Sequence, residues 1–130
     1  MLDTSVLVAV EKGKFPLGRI LALMETEEVA VATITASELL HGVERAKPPP
    51  FKERRSRFVE WAISTFDIVE FGLAESRVHA RLWAQLKSTG QIIGPHDMII
   101  AATALHLEFS LATFNESEFR RVPGLALFSV

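Results

Sequence analysis

The sequence of 130 residues contains no cysteine, which excludes disulfide bonds and thiolate metal sites. It also lacks a large excess of charge of either sign, because its formal net charge is -2 at pH 7. The overall charge therefore gives no indication of nucleic-acid binding, and any surface that binds nucleic acid must be a local one.

Long hydrophobic runs are absent as well. No stretch approaches the roughly 18 uninterrupted apolar residues expected of a membrane span. Asp3, Glu11 and Lys12 interrupt the only early apolar stretch, so we expect no secretory signal and no association with a membrane. The lack of cysteine is compatible with a reducing compartment, and we expect a cytoplasmic protein.

What the sequence does contain is ample apolar material, since 48% of its residues are hydrophobic and 23% are charged. This balance supports a packed core and argues against disorder. The length fits one domain, so we predict a single domain that spans residues 1–130.

Short apolar runs predict strands, and apolar residues at three- and four-residue spacing predict helices. The predicted strands cover residues 1–3, 29–32, 67–71, 111–114 and 125–130. The predicted helices cover residues 4–10, 17–24, 35–46, 51–65, 74–88 and 97–107. Strands that alternate with helices in this way predict an α/β fold around a parallel sheet.

Three acidic residues stand at or near the predicted starts of helices. Asp3 lies where the first strand gives way to a helix, Asp97 opens a helix that is apolar nearly all round, and Glu38 follows Thr35 by three residues. Taken singly, each has a structural explanation, as an N-cap, a first-turn acid or half of a capping box. A charged residue at the start of a buried helix is nevertheless more informative than one on a wet surface.

Taken together, these acids favour a shared site. In a parallel α/β sheet, residues at the carboxyl ends of strands converge on one crevice. Two carboxylates about 4 Å apart repel by roughly 4 kcal/mol at an effective dielectric near 20, so a cluster of three requires a cation. Oxygen ligands without a nearby thiolate favour Mg²⁺, or Mn²⁺ as a substitute, over zinc.

Five short blocks along the chain carry a resemblance to a known family. They are LDTS at residues 2–5, ITASELLHG at 34–42, PHDMIIAA at 95–102, LATFN at 111–115 and FRRVPGL at 119–125. The blocks occur in order and span essentially the whole chain. In this respect the sequence resembles the PIN-domain family, and most closely the VapC-type toxins of prokaryotic toxin–antitoxin pairs.

The resemblance implies a three-layer α/β/α fold whose mostly parallel central sheet is flanked by helices. It also implies a divalent-metal site and endoribonuclease activity on structured RNA, often transfer or ribosomal RNA. Asp3, Glu38 and Asp97 fall on the family's three acidic positions. Asn115 stands where many members carry a fourth acid, and Glu118 is close enough to compensate.

Three hydroxyl residues lie beside the acids in the sequence. Thr4, Ser5 and Thr113 are expected either to support the site or simply to cap strands and helices, and both interpretations stay open. Family members usually have several strand residues before the first aspartate. Only Met1 and Leu2 precede it here, so the first strand is expected to be a stub or to begin upstream of this chain.

A basic segment follows the helix that carries Glu38. We predict that this segment contacts RNA phosphates, which dominate nucleic-acid affinity, although a solvated helix surface would explain it too. The candidate RNA-binding residues are Arg45, Lys47, Lys52, Arg54 and Arg55. The resemblance further implies a homodimer that a small VapB-like antitoxin neutralises, with an antitoxin arginine that often reaches the acidic pocket.

Two other functions were compatible with the residues. A catalytically weak PIN-like module that binds RNA or a partner protein is favoured by the amide at Asn115 and by the short first strand. An aspartyl phosphatase would use Asp3 as its nucleophile, but that chemistry wants a second aspartate two residues later, where Ser5 stands.

Overall fold

The computed structural model describes all 130 residues. It contains two strands of three residues each, β1 (Ala30–Ala32) and β2 (Asp67–Val69). The helices are α1 (Thr4–Glu11), α2 (Leu17–Leu23), α3 (Thr33–Arg45), α4 (Pro49–Thr65), α5 (Leu73–Ser88), α6 (Pro95–Leu107) and α7 (Glu116–Phe119).

The sheet is parallel throughout. β1 pairs with β2 in the register Val31 to Ile68, and Leu2 forms isolated parallel bridges to Val31 on one side and to Ala112 on the other. A further parallel bridge joins Leu111 to Leu127. The order across the sheet is therefore β2, β1, the Leu2 segment, the segment 111–112 and the Leu127 segment, as an α/β fold with a parallel sheet requires.

All five predicted strands are shorter in the structure, and three of them are much shorter. The predictions over 1–3, 111–114 and 125–130 reduce to single bridging residues or pairs in the structure. The first segment is short because α1 begins at Thr4, which leaves Leu2 as the stub that was expected. The segment at Leu111 ends where the chain turns toward α7.

Hydrophobic cores cover both faces of the sheet. Leu2, Val31 and Ala112 pack with residues of α1 to α4 on one face. Their neighbours in sequence pack with residues of α5 to α7 on the other face: Met1, Ala32 and Leu111. Because successive side chains of a strand point to opposite faces, this alternation places the sheet between two helical layers and confirms the three-layer α/β/α architecture.

The predicted helices agree with the observed ones to within about two residues at each end, which is the usual uncertainty of helix boundaries. The largest differences are at starts: α3 begins at Thr33 rather than 35, and α4 begins at Pro49 rather than 51. Proline is tolerated in the first turn of a helix, where its missing N–H has no partner anyway. No helix is both long and apolar enough to cross a membrane.

The Leu2 segment is the point of the sheet from which the chain adds strands first on one side and later on the other. From this central segment the chain proceeds to β1 and β2 on one side, and later returns to the segment 111–112 on the other. In open α/β sheets, ligands bind in the crevice outside the carboxyl ends of the strands at such a switch point. Asp3 and Thr113 lie at this position, so the topology itself selects the place to look for a site.

Candidate active site

Asp3 is buried at the carboxyl end of the central segment, with 3% of its surface exposed. It occupies the N-cap position of α1 but makes no side-chain capping bond. Its Oδ2 atom instead accepts hydrogen bonds from Ser5 Oγ at 2.8 Å and from Thr113 Oγ1 at 2.7 Å. The capping explanation of Asp3 is therefore wrong, and these two hydroxyls fix the orientation of the carboxylate.

Glu38 lies inside α3 rather than at its start. Because α3 begins at Thr33 and has no side-chain cap, the predicted capping box of Thr35 and Glu38 does not form. Glu38 Oε1 accepts a hydrogen bond of 2.7 Å from Thr4 Oγ1, and Glu38 Oε2 lies 3.5 Å from His96 Nδ1. The side chain thus points across to α1 and to the start of α6, at the same crevice as Asp3.

Asp97 stands in the first turn of α6. Its pKa is raised to about 7, most strongly by burial, and then by a hydrogen bond with Glu118 and by the negative charges of Asp3, Glu118 and Glu38. Asp97 is therefore close enough to Asp3, Glu38 and Glu118 for their negative charges to affect its ionisation. The three acids predicted from the sequence therefore do come together in the fold.

Glu118 completes this group of acids. Its Oε1 atom accepts a hydrogen bond of 3.0 Å from the backbone N–H of Gly94, and its Oε2 atom accepts one of 2.6 Å from Asn115 Nδ2. These donors, the Asn115 amide first, lower the pKa of Glu118. The Asn115 amide also lies 3.4 Å from Asp97 Oδ2, so it contacts both carboxylates and makes no side-chain cap for α7.

The chemistry of this donor set suits a hard divalent cation. The candidate ligands are carboxylate oxygens from four separate segments, and Asp3 Oδ1 accepts no hydrogen bond from the protein while retaining access to solvent. No three His, Asp or Glu side chains gather closely enough to enclose a metal ion. Mg²⁺ usually keeps several waters and takes only one or two carboxylates directly, so an open arrangement of this kind fits it.

A polar groove of about 420 Å³ extends from Glu38 along α1, α3 and α4. Its basic lining residues are Lys12, His41, Arg45, Arg55 and His96. Of the five predicted RNA-binding residues, only Arg45 and Arg55 line this groove. Lys47, Lys52 and Arg54 lie outside its lining, with Arg54 stacked against the ring of Phe51.

Arg55 is already engaged within the protein. Its Nε atom donates to Glu11 Oε1 at 2.7 Å, and its Nη1 atom donates to the carbonyl oxygen of Gly42. The guanidinium also lies 4.7 Å from the centroid of the Phe51 ring. These contacts tie α4 to α1 and α3, and they favour a structural role for Arg55 over the predicted phosphate contact.

Sequence reasoning did not single out the basic groove residues His96 and Lys12. His96 directly precedes Asp97, which was a usable signal, because a side chain beside a first-turn acid shares its end of the helix. Lys12 follows the last residue of α1, and nothing in its local sequence indicated that it lines the groove near Glu38.

Comparison with known proteins agrees with this fold. The PIN domain family model matches residues 1–125. The ribonuclease VapC of Rickettsia bellii (strain RML369-C) is 32% identical over the whole chain and 95% of its own length. A tRNA(fMet)-specific endonuclease VapC of Shigella flexneri is 29% identical over 96% of this chain and 92% of its own length.

Solved structures agree as well. A chain of VapBC2 from Rickettsia felis, crystallised bound to a promoter DNA fragment, superposes with a TM-score of 0.90 at 28% identity. The match covers 98% of this chain and 96% of that one. The chain belongs to the PIN domain family, in its VapC branch.

Proposed function

We propose that this protein is a metal-dependent endoribonuclease, the toxin of a VapBC-like toxin–antitoxin pair, and that it hydrolyses phosphodiester bonds in RNA. The observation that carries the proposal is the convergence of Asp3, Glu38, Asp97 and Glu118 at the switch point of a parallel sheet. The raised pKa of Asp97 supports it, because burial and the neighbouring carboxylates disfavour the ionised form of Asp97, and a nearby cation would favour it.

Mg²⁺, or Mn²⁺ in its place, would be held by Asp3 and Asp97, with Glu38 and Glu118 as direct or water-mediated partners. When bound, such an ion activates a water molecule and neutralises charge that develops on the phosphoryl oxygens. The Asn115 amide donates to Glu118 and Asp97. Glu118 would thus supply the fourth acid of the site, which many family members carry at the position of Asn115.

The remaining residues of the site have supporting roles. Thr4 holds Glu38, while Ser5 and Thr113 hold Asp3. Carboxylates that are held in place by donors bind a metal with less reorganisation. Arg45 and Lys12 line the groove that begins at Glu38, and their charges would bind phosphates on one side of the cleaved bond.

The relatives support a proposal for the substrate class. The Shigella flexneri relative is a tRNA(fMet)-specific endonuclease, and we propose that this protein likewise cleaves transfer RNA, with ribosomal RNA as the second candidate. An RNA substrate of this kind implies that the protein acts in the cytoplasm.

The proposed protein partner is a small antitoxin of the VapB type, since the solved neighbours are VapBC complexes. An antitoxin arginine would enter the crevice and supply the positive charge that the four carboxylates lack. A guanidinium can make two parallel hydrogen bonds with a carboxylate, so it competes directly with the cation.

We also propose a homodimer that forms through the exposed aromatic face of α5. Trp83 is 52% exposed, and its ring follows those of Phe71 and His79 in a series of contacts with centroid distances of 5.6 and 5.8 Å. Exposed aromatic surface of this kind is typical of interfaces. Light scattering of wild type and Trp83→Arg tests it, since a monomeric wild type would contradict the dimer.

Cleavage of transfer RNA by the purified protein tests the proposed activity. We expect cleavage with Mg²⁺ or Mn²⁺ and none with EDTA. Asp97→Asn should slow cleavage by about 100-fold or more, because a metal centre supplies several kcal/mol of transition-state stabilisation. Asp67→Asn is the matched control, since Asp67 is exposed at the start of β2.

The outcome also separates the enzyme from a binding module. If the wild type binds RNA but neither binds Mn²⁺ by calorimetry nor cleaves, the protein is a PIN-like RNA-binding module and the proposed activity is wrong. If Asp97→Asn cleaves as fast as Asp67→Asn, the assignment of the metal site is wrong.

A further inference from the structure

Phe114 is a large aromatic residue that is half-exposed at the edge of the carboxylate site. It is 51% exposed, and its backbone N–H donates a hydrogen bond of 3.0 Å to Ser5 Oγ, the same atom that donates to Asp3. The preceding residue, Thr113, also donates to Asp3. The ring therefore starts from a backbone position that is fixed against the buried carboxylate.

The ring itself is held on one side. It packs against Phe15, with ring centroids 5.6 Å apart and planes tilted by 59°, a geometry that aromatic pairs favour. Phe15 is 8% exposed and belongs to the first core. Phe114 thus presents the rest of its surface to solvent from a supported position, so a ligand that stacks on it would lose little side-chain entropy.

The surroundings indicate what kind of ligand this ring receives. Phe114 directly follows Thr113, whose hydroxyl donates to Asp3. Because consecutive Cα atoms are about 3.8 Å apart, the Phe114 ring starts close to the residue that orients this carboxylate. The guanidinium of Arg19 lies 5.6 Å from the centroid of the Phe15 ring, so a positive charge lies next to the pair of aromatic rings. A nucleotide combines a phosphate with a flat aromatic face, and single-stranded RNA is bound by basic surfaces with aromatic side chains on which bases stack.

We propose that Phe114 is a base-stacking residue that positions an unpaired nucleotide next to the cleaved phosphodiester bond. This inference rests on the proposed ribonuclease function. Phosphates on one side of the bond would lie in the groove that starts at Glu38, and the base on the other side would lie on Phe114. Because every base has an aromatic face, the residue selects for an unpaired position more than for a particular sequence.

The test uses short single-stranded oligoribonucleotides with 2-aminopurine at successive positions, bound to the whole protein in EDTA. Stacking quenches the fluorescence of this base, so wild type should quench it strongly at one position. Phe114→Ala and Phe114→Leu should lose the quenching, whereas Phe114→Trp should keep it. Phe114→Leu preserves the apolar contact with Phe15 and therefore guards against loss of the fold.

Kinetics with a transfer RNA substrate provide the second measurement. Stacking on an aromatic side chain is worth roughly 5- to 150-fold in affinity, so KM should rise within that range for Phe114→Ala while kcat changes much less. Leu73→Ala is the control, because Leu73 is exposed by 70% and lies at the start of α5, outside the site.

Each outcome decides the inference. Quenching by Phe114→Leu equal to that of wild type, or an unchanged KM for Phe114→Ala, overturns it. A Phe114→Ala variant that cleaves normally but escapes inhibition by its co-expressed antitoxin also overturns it, and identifies the ring as a protein anchor. If wild type cleaves no RNA but quenches at one position, the stacking role stands while the proposed activity fails.

Discussion

Asn115 donates a hydrogen bond of 2.6 Å from Nδ2 to Oε2 of Glu118, and the other oxygen of Glu118 receives the backbone N–H of Gly94. Glu118 therefore connects α7 to the loop that precedes α6, next to Asp97. The asparagine at position 115 therefore does not leave the site without a fourth negative charge. Its amide holds the carboxylate of Glu118, three residues later, beside Asp97.

Glu118→Gln tests this arrangement. The glutamine keeps the shape of the side chain but removes a negative charge beside Asp97, so the affinity for Mn²⁺ and the rate of RNA cleavage should both fall by about 10- to 100-fold, as for other partners of metal ligands. Calorimetry with Mn²⁺ measures the first quantity, and a cleavage assay measures the second.

Glu116→Gln is the control for this prediction. Glu116 lies on the same short helix and pairs with Arg120 at the surface, so its replacement should change neither quantity. Equal Mn²⁺ affinity and cleavage in the two variants would show that Glu118 only fastens the loop and takes no part in the metal site.

The raised pKa of Asp97 predicts how stability depends on pH. Its pKa is about 7 in the folded protein, against an ordinary value of 3.8, so the folded state binds the proton more tightly than the unfolded one. The corresponding stabilisation is complete below pH 4 and is lost as the pH rises through 7. Without metal, the free energy of unfolding should therefore fall over this range relative to Asp97→Asn. Because Asp97 is only about half buried and solvent screens its charge, we expect a fall of about 1–3 kcal/mol, less than the full shift in pKa would give.

Urea denaturation of wild type and Asp97→Asn in EDTA at several pH values measures this difference. Asp97→Asn cannot take up the proton, so the two curves of stability against pH should diverge between pH 4 and 7. Asp67→Asn should follow wild type throughout. Parallel curves for wild type and Asp97→Asn would show that the carboxylate is not crowded in the folded protein.

Much of the fold could be predicted because its signals are local. The spacing of apolar residues located six helices, and the apolar character of α6 correctly indicated burial of residues such as Ile100 and Ala101. The capping box of Thr35 and Glu38 failed for a local reason too. The pattern fits a helix that starts at Thr35, but α3 begins two residues earlier, so Glu38 lies beyond the first turn, and its carboxylate accepts a hydrogen bond from Thr4 instead.

Other features depend on contacts that no local pattern contains. Arg55 and Glu11 are 44 residues apart in sequence, and an arginine that faces a buried carboxylate has the same sequence signature as one that faces RNA. Thr113 reaches Asp3 across 110 residues. Only the pairing of Leu2 with Ala112 brings these two side chains together.

Thr113→Val measures what that contact contributes. Valine has nearly the same shape, but it leaves Asp3 without one donor and leaves the backbone N–H of Asn115 without its acceptor. Loss of a partner for buried polar groups costs about 1–3 kcal/mol, so the free energy of unfolding should fall by that amount, and RNA cleavage should slow as Asp3 loses its orientation.

Thr103→Val is the matched control. Thr103 is equally buried, but its hydroxyl only donates to the carbonyl oxygen of Ile99 within α6. That carbonyl belongs to the helix ladder, so the cost should be below about 1 kcal/mol and cleavage should be unaffected. A Thr113→Val protein that cleaves like Thr103→Val would show that Thr113 supports the fold but not the carboxylate.

Arg45 and Arg55 line the same groove and should behave in opposite ways. Arg45 is exposed, so Arg45→Ala should leave stability unchanged, weaken RNA binding regardless of sequence, and reduce the dependence of log K on log salt by about 1. Arg55→Met leaves the largely shielded carboxylate of Glu11 without its partner, because both side chains are at most 20% exposed. Breaking such a pair should lower the free energy of unfolding by about 2–3 kcal/mol, and the salt dependence of RNA binding should not change.

Urea denaturation and a salt titration of RNA binding distinguish the two cases. A reduced salt dependence for Arg55→Met would mean that RNA displaces Glu11 from the guanidinium, and the phosphate contact predicted from the sequence would then be correct.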